Sequence, residues 1–341
     1  MSDASTQPIL TICVPTYERP ELLARALTSV IDQAGSDDAA QVELLVSDNS
    51  PAVSGPVVQA QLPRWPGPST YLPNEPTIGP IANFNQCLTR ARGLFVVFLH
   101  DDDYLLPGGV PAILQALSLA GDDRVLLFGV DVVDSQGHLR RHQAFRARRR
   151  LSPTAALKQL LSESSFVRIP SIVIRRDVFE SVGYFDEGVG NPADFELLIR
   201  IFAAYGLRCE PTTVAAYSVH LDAASSGMFR AETIATVMMI FDRARDLKAL
   251  PDHVVTRCEA DWLHQFVLGG TYRQLRIGDL AGARRTLSLL QLPAVAALGP
   301  SRRWRPVRWL FEGLMRLPRP VVARTMIVVG RASPERLWPP W

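Results

Sequence analysis

The chain has 341 residues, more than one hydrophobic core normally serves, so we expect a large domain with an appendage, or two domains. Hydrophobic residues make up 47% of the chain and charged residues 21%, which excludes a wholly disordered or collagen-like protein. The 36 basic residues nearly balance the 34 acidic ones, so the net charge indicates no class of partner. The 4 cysteines are far apart and indicate neither a zinc site nor a disulfide framework.

The first residues of the chain do not have the pattern of a secretory signal. The stretch from Met1 to Pro8 is polar, contains Asp3 and has no basic residue. The sequence has no apolar run long enough to span a membrane. We therefore expect a cytoplasmic protein whose cysteines are reduced and buried.

Short apolar runs alternate with amphipathic stretches through the first 120 residues. The elements predicted there are strands at 9–14, 42–46, 69–72 and 94–99, and helices at 21–33, 81–92 and 107–120. This alternation is typical of βαβ units and of a mainly parallel sheet with helices on both faces. Further along, the predicted elements are strands at 125–133, 171–174 and 212–219, a helix at 194–205, and only helices from about residue 230.

Polar residues follow three of the predicted strands, at the point where open parallel sheets bind their ligands. Residues 15–19 (PTYER) follow the first strand, residues 47–49 (SDN) the second, and residues 100–103 (HDDD) the central one. Because the carboxyl ends of parallel strands meet at one edge, we expect the three groups to line a single crevice. An aromatic residue, an arginine and several carboxylates in one crevice suit a nucleotide with a divalent cation.

The run from His100 to Asp103 is the most informative of these groups. Adjacent carboxylates repel one another unless a counter-ion is present, and Mg²⁺ or Mn²⁺ binds through one or two carboxylates together with substrate phosphates. An acidic turn capping the next helix is an equally open interpretation of this run alone. Asp48, in a turn-like sequence, and Asp194, at a helix start, also have ordinary structural explanations.

Taken together, these residues resemble the family-2 glycosyltransferases, which have the GT-A fold. Five segments carry the resemblance, in order, between about residues 9 and 225: VPTYERPELLARALTSV (14–30), VELLVSDNSP (42–51), NEPTIGPIANFNQCLTRARGLFVVFLHDDDYLLPG (74–108), VGYFDEGVGNPADFELLIRI (182–201) and YSVHLDAAS (217–225). The implied fold class is α/β, with a GT-A-like mixed, mainly parallel sheet flanked by helices and a helical C-terminal extension.

The resemblance also implies a division into domains and a set of site residues. The glycosyltransferase domain would cover 1–228, with a nucleotide-binding half at about 9–107 and an acceptor half at about 120–228, followed by a helical extension (229–300) and a basic segment (301–341). The implied contacts of the nucleotide sugar are Pro15, Thr16, Tyr17, Arg19, Asp48, Asn85 and Asp101. The implied metal ligands are Asp102, Asp103 and His220, with Mn²⁺ or Mg²⁺ as cofactor, and the implied catalytic base is Asp194.

The function implied is metal-dependent transfer of a sugar from a nucleotide-sugar donor to an acceptor hydroxyl, on a glycan or lipid-linked acceptor in surface polysaccharide assembly. A single carboxylate acting as base implies direct displacement with inversion at the anomeric carbon. Two departures from the family pattern, His100 for the first acid of the DXD triplet and Ala193 for the glutamate before Asp194, leave a non-catalytic binding homologue as an alternative.

A sugar-phosphate nucleotidyltransferase is the other alternative considered. That class usually has a Gly-rich basic loop after its first strand, where this chain has PTYERP. Nucleic acid is not an expected partner, since the first 300 residues are net acidic and contain no recognisable nucleic-acid-binding motif.

Two arginine-rich stretches lie outside the resemblance. Residues 138–150 contain six Arg in a loop-like sequence, for which acceptor binding and a solvated basic loop are both open. Residues 301–341 contain nine Arg, two Glu and four of the 6 tryptophans: Trp304, Trp309, Trp338 and Trp341. Such a segment suits an anionic membrane surface, and a helix packed with its arginines outward is the alternative. We prefer the membrane interpretation, which implies a peripheral location at the inner face of the membrane.

Overall fold

A computed structural model describes residues 7–33, 35–219 and 227–316, and the chain divides into two compact units. The first unit comprises residues 1–153 and 167–223, and the second comprises residues 154–166 and 224–341. His220, Trp338 and Trp341 lie outside the described residues, so the predictions made for them are not addressed by the fold.

The first unit contains a ten-stranded sheet. Its strands are β1 (Leu10–Thr16), β2 (Val42–Asp48), β3 (Ser69–Pro73), β4 (Phe95–Phe98), β5 (Tyr104–Leu105), β6 (Val125–Asp134), β7 (Leu139–Gln143), β8 (Arg149–Leu151), β9 (Ile172–Arg175) and β10 (Leu207–Val219). Its helices are α1 (Pro20–Ile31), α2 (Ser36–Ala40), α3 (Pro51–Gln61), α4 (Pro80–Arg90), α5 (Gly109–Ser118), α7 (Asp177–Val182) and α8 (Ala193–Tyr205).

The strand order is β3-β2-β1-β4-β9-β6-β10-β5, with β7 paired to β6 and β8 paired to β10. The four strands from β3 to β4 are parallel, β9 runs antiparallel to both of its neighbours, and β6 is parallel to β10. Every residue of β1 and β2 is buried, as expected for parallel strands covered on both faces. The predicted mixed sheet flanked by helices is therefore confirmed.

Glu43 is a fully buried carboxylate in the middle of β2. Its oxygens accept hydrogen bonds from the hydroxyls of Thr11 on β1 (2.8 Å) and Thr70 on β3 (2.9 Å), and from the backbone N–H (2.8 Å) and Nε (2.7 Å) of Arg92. Burial raises the pKa of Glu43, but the hydrogen bonds together outweigh it, and the net pKa is lowered. Glu43 therefore joins three parallel strands as an ionised group.

The prediction of a loop over residues 138–150 is wrong for most of this stretch, because residues 139–143 form β7 and residues 149 and 150 begin β8. β7 pairs antiparallel with β6, and β8 pairs antiparallel with β10. The arginines are accommodated by acidic partners on neighbouring elements: Arg148 pairs with Glu210 at 3.0 Å and Arg150 with Asp123 at 2.8 Å. Cross-strand hydrogen bonds and these ion pairs therefore stabilise two strands in a sequence whose composition resembles that of a loop.

The second unit is helical. Its helices are α6 (Pro153–Ser162, whose first residue belongs to the first unit), α9 (Ala231–Asp246), α10 (Asp252–Arg276), α11 (Leu280–Ser288), α12 (Pro293–Ala297) and α13 (Arg305–Leu314). This confirms the predicted helical C-terminal region. Within this unit Trp304, Phe311 and Leu314 are buried, so α13 contributes to the hydrophobic core. Among the described helices, none combines the length and the apolar character needed to cross a bilayer.

Candidate active site

The residues that follow β1, β2 and β4 lie at one edge of the sheet, because these three strands are parallel and in register. The hydroxyl of Thr16 donates to Asp101 Oδ2 at 2.9 Å. Arg19 Nη1 lies 3.3 Å from Asp101 Oδ1 and 3.2 Å from Asp102 Oδ2. The second group joins the first where the backbone N–H of Asn49 donates to the carbonyl oxygen of Thr16 at 3.0 Å. The fold thus brings together the three polar groups that the sequence placed at strand ends.

Pro15 and Tyr17 flank Thr16 at this edge. Pro15 is buried and pairs with Ser47 of β2, whereas the side chain of Tyr17 is 51% exposed. The backbone N–H of Tyr17 points toward Asp101 Oδ2, at 3.4 Å. An exposed aromatic ring beside Arg19 is available to a planar ligand.

Asp48 ends β2 and is fully buried. Its Oδ1 accepts the backbone N–H of Ser50 at 2.8 Å, and its Oδ2 accepts the hydroxyl of Tyr71 at 3.0 Å. Burial and the hydrogen bond to Asp48 raise the pKa of Tyr71, which therefore remains a donor. Since each carboxylate oxygen has two lone pairs, Asp48 keeps the capacity to accept a further N–H from a ligand.

His100, Asp102 and Asp103 form a group that could hold a metal ion, since one potential ligand atom of each lies within 4.8 Å of the others. Asp103 Oδ1 accepts the backbone N–H of Ser218 at 2.8 Å. Asp103 Oδ2 and His100 Nε2 are buried, and no described residue forms a hydrogen bond with either atom. Burial, followed by the charge of Asp102, raises the pKa of Asp103.

This donor set fits a divalent cation. One imidazole nitrogen with two carboxylates matches the ligand preferences of Mn²⁺ and related ions. His100 and Asp103 each also have a buried polar atom to which no described residue forms a hydrogen bond. Asp101 differs, because its oxygens face Thr16 and Arg19. Burial is the main cause of a raised pKa at Asp101, and the charge of Arg19 opposes it. His100 was not among the predicted ligands, and only its place beside the acidic run pointed to it.

Arg25 on α1 also holds the acidic run in place, through contacts that the sequence did not reveal. Its guanidinium donates to the backbone carbonyl of Asp102 and, at 3.2 Å, to the hydroxyl of Ser218. The same group lies 4.8 Å from the ring centroid of Tyr104. Arg25 therefore connects the acidic run to the end of β10.

Asp194 lies in the first turn of α8, where its Oδ1 accepts the backbone N–H of Phe195 at 2.7 Å. Burial raises the pKa of Asp194, while this hydrogen bond and the charges of His100 and Arg168 act in the opposite direction. The charge of His100 therefore influences the ionisation of Asp194. Arg168, which sequence reasoning missed, stacks over the ring of Tyr217 with 4.6 Å between guanidinium and ring centroid. Ala193, at the missing glutamate position, is fully buried.

Asn85 on α4 faces the protein backbone. Its Nδ2 donates to the carbonyl of Phe185 and its Oδ1 accepts the N–H of the same residue, both at 3.0 Å. The neighbouring ring of Phe84 packs 5.3 Å from Phe98 and 5.5 Å from Phe185, and lies edge-on to His100 at 5.4 Å. α4 thus contacts both the acidic run and the segment that leads to α8.

The chain is similar in sequence to curated proteins, one of them a glucosyltransferase. The GalNAc(5)-diNAcBac-PP-undecaprenol beta-1,3-glucosyltransferase of Campylobacter jejuni is 28% identical over 187 residues, which cover 54% of this chain and 58% of that protein. The chain spans 62% and 58% of the lengths of the two curated relatives that it matches.

Solved structures show the same fold at low sequence identity. S. aureus TarS 1–349 in complex with UDP-GlcNAc has a TM-score of 0.59 and 15% identity, over 95% of this chain and 91% of that one. The mannosyltransferase PcManGT from Pyrobaculum calidifontis, in complex with GDP-Man and Mn²⁺, has a TM-score of 0.52 and 17% identity, over 98% and 88%. The GT-A-like architecture is therefore confirmed.

The family model described as glycosyl transferase family 2 matches residues 11–183. That range contains β1 except its first residue, β2 to β4, the acidic run and Asn85, and it ends two residues before Phe185. It also covers half of the chain. The chain belongs to glycosyl transferase family 2.

Proposed function

We propose that this protein transfers a sugar from a nucleotide-sugar donor to an acceptor hydroxyl, with a divalent cation and with inversion at the anomeric carbon. The observation that carries the proposal is the group formed by His100, Asp102 and Asp103 at the strand ends, whose ligand atoms lie within 4.8 Å of one another. Asp194, a carboxylate whose pKa is raised by burial, would supply the base that this reaction needs in addition to a cation.

The donor would bind at the strand ends. In the proposed arrangement the ring of Tyr17 stacks on the base, and Asp48 accepts an N–H from it. Pro15 and Thr16 shape the backbone beneath the nucleoside. Arg19, now paired with Asp101 and Asp102, supplies a positive charge near the diphosphate.

His100, Asp102 and Asp103 would hold the cation, and His220 keeps its implied role as a ligand outside the described residues. A bound divalent ion would neutralise the negative charge that develops on the departing diphosphate. Arg25 keeps the backbone of Asp102 in place, and Ser218 keeps Asp103 in place. Asn85 and Phe84 act as positioning residues for Asp194 and His100.

Asp194 would remove the proton from the acceptor hydroxyl. As the acceptor oxygen forms its bond to the anomeric carbon, the bond from that carbon to the diphosphate oxygen breaks, and the proton ends on Asp194. A raised pKa makes the ionised form of Asp194 a stronger base than an ordinary aspartate. With one carboxylate and no second one as nucleophile, the displacement is direct and the anomeric configuration inverts.

The acceptor is proposed to be a glycan or a lipid-linked glycan used in polysaccharide assembly. By its name, the relative from C. jejuni acts on an undecaprenol-linked acceptor. A cytoplasmic enzyme with such an acceptor would work peripherally at the inner face of a membrane. α13 offers a suitable surface, since Trp309 is 58% and Leu310 43% exposed next to Arg305.

Cosedimentation with vesicles tests the membrane contact. We expect the protein to bind vesicles that contain phosphatidylglycerol, and Leu310→Glu to weaken this binding because a carboxylate resists transfer into the lipid interface. Leu247→Glu is the matched control, because Leu247 is also an exposed leucine of the second unit, at 42% exposure. Equal binding by both variants and the parent would exclude α13 as the contact.

A thermal-shift panel tests the donor site. Nucleoside diphosphates and nucleotide sugars should raise the melting temperature, and more so with Mn²⁺, because a ligand that binds only the native state stabilises it. Asp48→Ala should lose the shift for every nucleotide, and Asp102→Asn should lose the Mn²⁺-dependent part. A panel without any shift, in the presence of Mn²⁺, would refute nucleotide-sugar binding.

A further inference from the structure

Glu18 has a backbone conformation that residues with a side chain rarely adopt. In the part of the chain that the structure describes, Glu18 and Lys248 are the two residues other than glycine with a positive φ, at 52° and 53°. Lys248 directly follows the C-cap of α9, where helices commonly end in the left-handed conformation. Glu18 does not end a helix, since it lies between β1 and α1. Its backbone strain therefore lies in the turn that carries Tyr17 and Arg19.

Ser50 holds the backbone of Glu18 from a distant part of the sequence. The backbone N–H of Glu18 donates to Ser50 Oγ at 2.7 Å, across 32 residues. Ser50 is the N-cap residue of α3, a position where a serine hydroxyl usually accepts an N–H of its own helix, but the Ser50 hydroxyl does not cap α3. The hydroxyl of this serine is instead used by the turn after β1.

The same serine contacts Asp48. The backbone N–H of Ser50 donates to Asp48 Oδ1 at 2.8 Å, and Ser50 Oγ lies 3.3 Å from that oxygen and 3.1 Å from Ser54 Oγ. Because Ser50 Oγ accepts from Glu18, its one hydrogen can still be donated to Asp48 or to Ser54. Ser50 therefore connects the turn after β1 to the carboxylate proposed to accept an N–H of the base.

The residues on either side of Glu18 are attached to the acidic run. The backbone N–H of Tyr17 points toward Asp101 Oδ2 at 3.4 Å, and Arg19 Nη1 lies 3.3 Å from Asp101 Oδ1. The N–H of Glu18 points to Ser50 instead, so the turn is held between Asp101 and Ser50. Since φ of Glu18 sets the direction in which the chain leaves Tyr17, a change in this angle would move Tyr17 and Arg19 relative to each other.

We propose that Ser50 is a positioning residue for the donor, because it keeps Glu18 in the left-handed conformation and so holds Tyr17 and Arg19 where both can contact the same nucleotide. This inference rests on the proposed function, in which Tyr17 stacks on the base and Arg19 lies near the diphosphate. Ser50 itself need not touch the donor. Its hydrogen bond offsets the cost of the left-handed backbone, which persists only where neighbouring groups support it.

Isothermal titration calorimetry of the full chain with UDP and with GDP, each in the presence of Mn²⁺, tests this inference. We expect the parent to bind at least one of the two. Ser50→Ala should raise the Kd roughly threefold to tenfold, as for the loss of one hydrogen bond. Ser50→Gly, which is also an acceptable N-cap residue, should have the same effect. Ser50→Thr should bind as the parent does, because the hydroxyl remains.

Glu18→Gly should make the protein less dependent on Ser50, because glycine adopts a positive φ without steric cost. In the Glu18→Gly background we expect Ser50→Ala to change the Kd by about twofold or less. Glu18→Ala is the matched variant: it removes the same carboxylate, whose charge and hydrogen bond raise the pKa of Tyr17, but it keeps the Cβ atom. In that background, and in Lys248→Gly, Ser50→Ala should keep its full effect.

The outcomes separate this inference from the proposed function. Absence of binding by the parent would overturn both. Binding by the parent with an unchanged Kd in Ser50→Ala would overturn this inference alone. A raised Kd that Glu18→Gly does not restore would also overturn it, and would assign the effect to the contact between Ser50 and Asp48. Thermal unfolding curves check that each variant is folded at the temperature of the titration.

Discussion

The carboxamide of Asn85 and the backbone of Phe185 are joined by two hydrogen bonds of 3.0 Å across 100 residues of sequence. They connect α4 to the segment between α7 and α8. The first turn of α8 carries Asp194. Phe84, one residue earlier, packs against His100. Two neighbouring residues of α4 therefore contact the segment before the proposed base and the proposed metal-ligand group.

Replacing Asn85 should impair turnover more than donor binding. We expect Asn85→Ala to lower kcat while the KM for the donor changes little, and to reduce the free energy of unfolding by about 1–3 kcal/mol, the value of two hydrogen bonds. Thr89→Ala, an exposed position on the same helix, is the control for both measurements. A raised donor KM with an unchanged kcat would instead support the nucleotide contact that the resemblance implied.

Arg168 should influence the pH dependence of the reaction. Its charge lowers the pKa of Asp194, so Arg168→Gln should raise that pKa further. Because the base must be ionised to act, the acid limb of the kcat profile should move to higher pH, measured between about pH 5 and 8 at saturating Mn²⁺. Arg168→Lys keeps the charge and should leave the limb in place. If neither substitution moves it, Asp194 is not the group that titrates.

Cation affinity should depend on His100 as well as on the aspartates. We expect His100→Ala and Asp103→Asn each to weaken Mn²⁺ binding by about tenfold or more, as for loss of a ligand or of its support. Titration with Mn²⁺ in the presence of a nucleoside diphosphate measures this. His142→Ala is the control, since His142 is exposed on β7 and pairs with Asp131. Unchanged affinity in His100→Ala would remove His100 from the ligand set.

Glu43 should contribute to stability in a pH-dependent way. Glu43→Gln should lower the free energy of unfolding by roughly 1.5–3 kcal/mol at neutral pH, since a buried, charge-assisted network is broken. The folded-state pKa of Glu43 is lowered, so its contribution is present above the unfolded-state pKa and is lost as pH falls through the folded-state value. Urea denaturation from neutral to acidic pH would measure this, with the exposed Glu21→Gln as control. An identical pH dependence in parent and Glu43→Gln would contradict the assignment.

The sequence alone was sufficient to predict the parallel half of the sheet. β1, β2 and β4 are mostly apolar, with polar residues at their carboxyl ends, and strand polarity alone then brings Thr16, Arg19 and Asp101 to one edge. The five segments of the resemblance then predicted the family and the fold, and the family model matches this chain.

Other features depend on contacts between distant residues, which local pattern does not encode. β7 and β8 are rich in arginine, and they are strands because β6 and β10 offer edges and because Asp134 and Asp123 pair with their arginines. Arg25 and Arg168 have no motif around them, and their roles come from neighbours far away in the sequence. Asn85 was recognised as part of a motif, but its partner at Phe185 could be found only from the fold.

The central claim is that Asp194 acts as the base for sugar transfer at a cation-dependent nucleotide-sugar site. The most direct test compares the release of nucleoside diphosphate and the transfer of sugar by the parent and by Asp194→Asn, with a panel of nucleotide sugars, Mn²⁺ and a glycan acceptor. We predict that Asp194→Asn binds the donor as tightly as the parent does but loses about two to four orders of magnitude in kcat, the usual contribution of a general base. Transfer at the parent rate by Asp194→Asn would contradict the account.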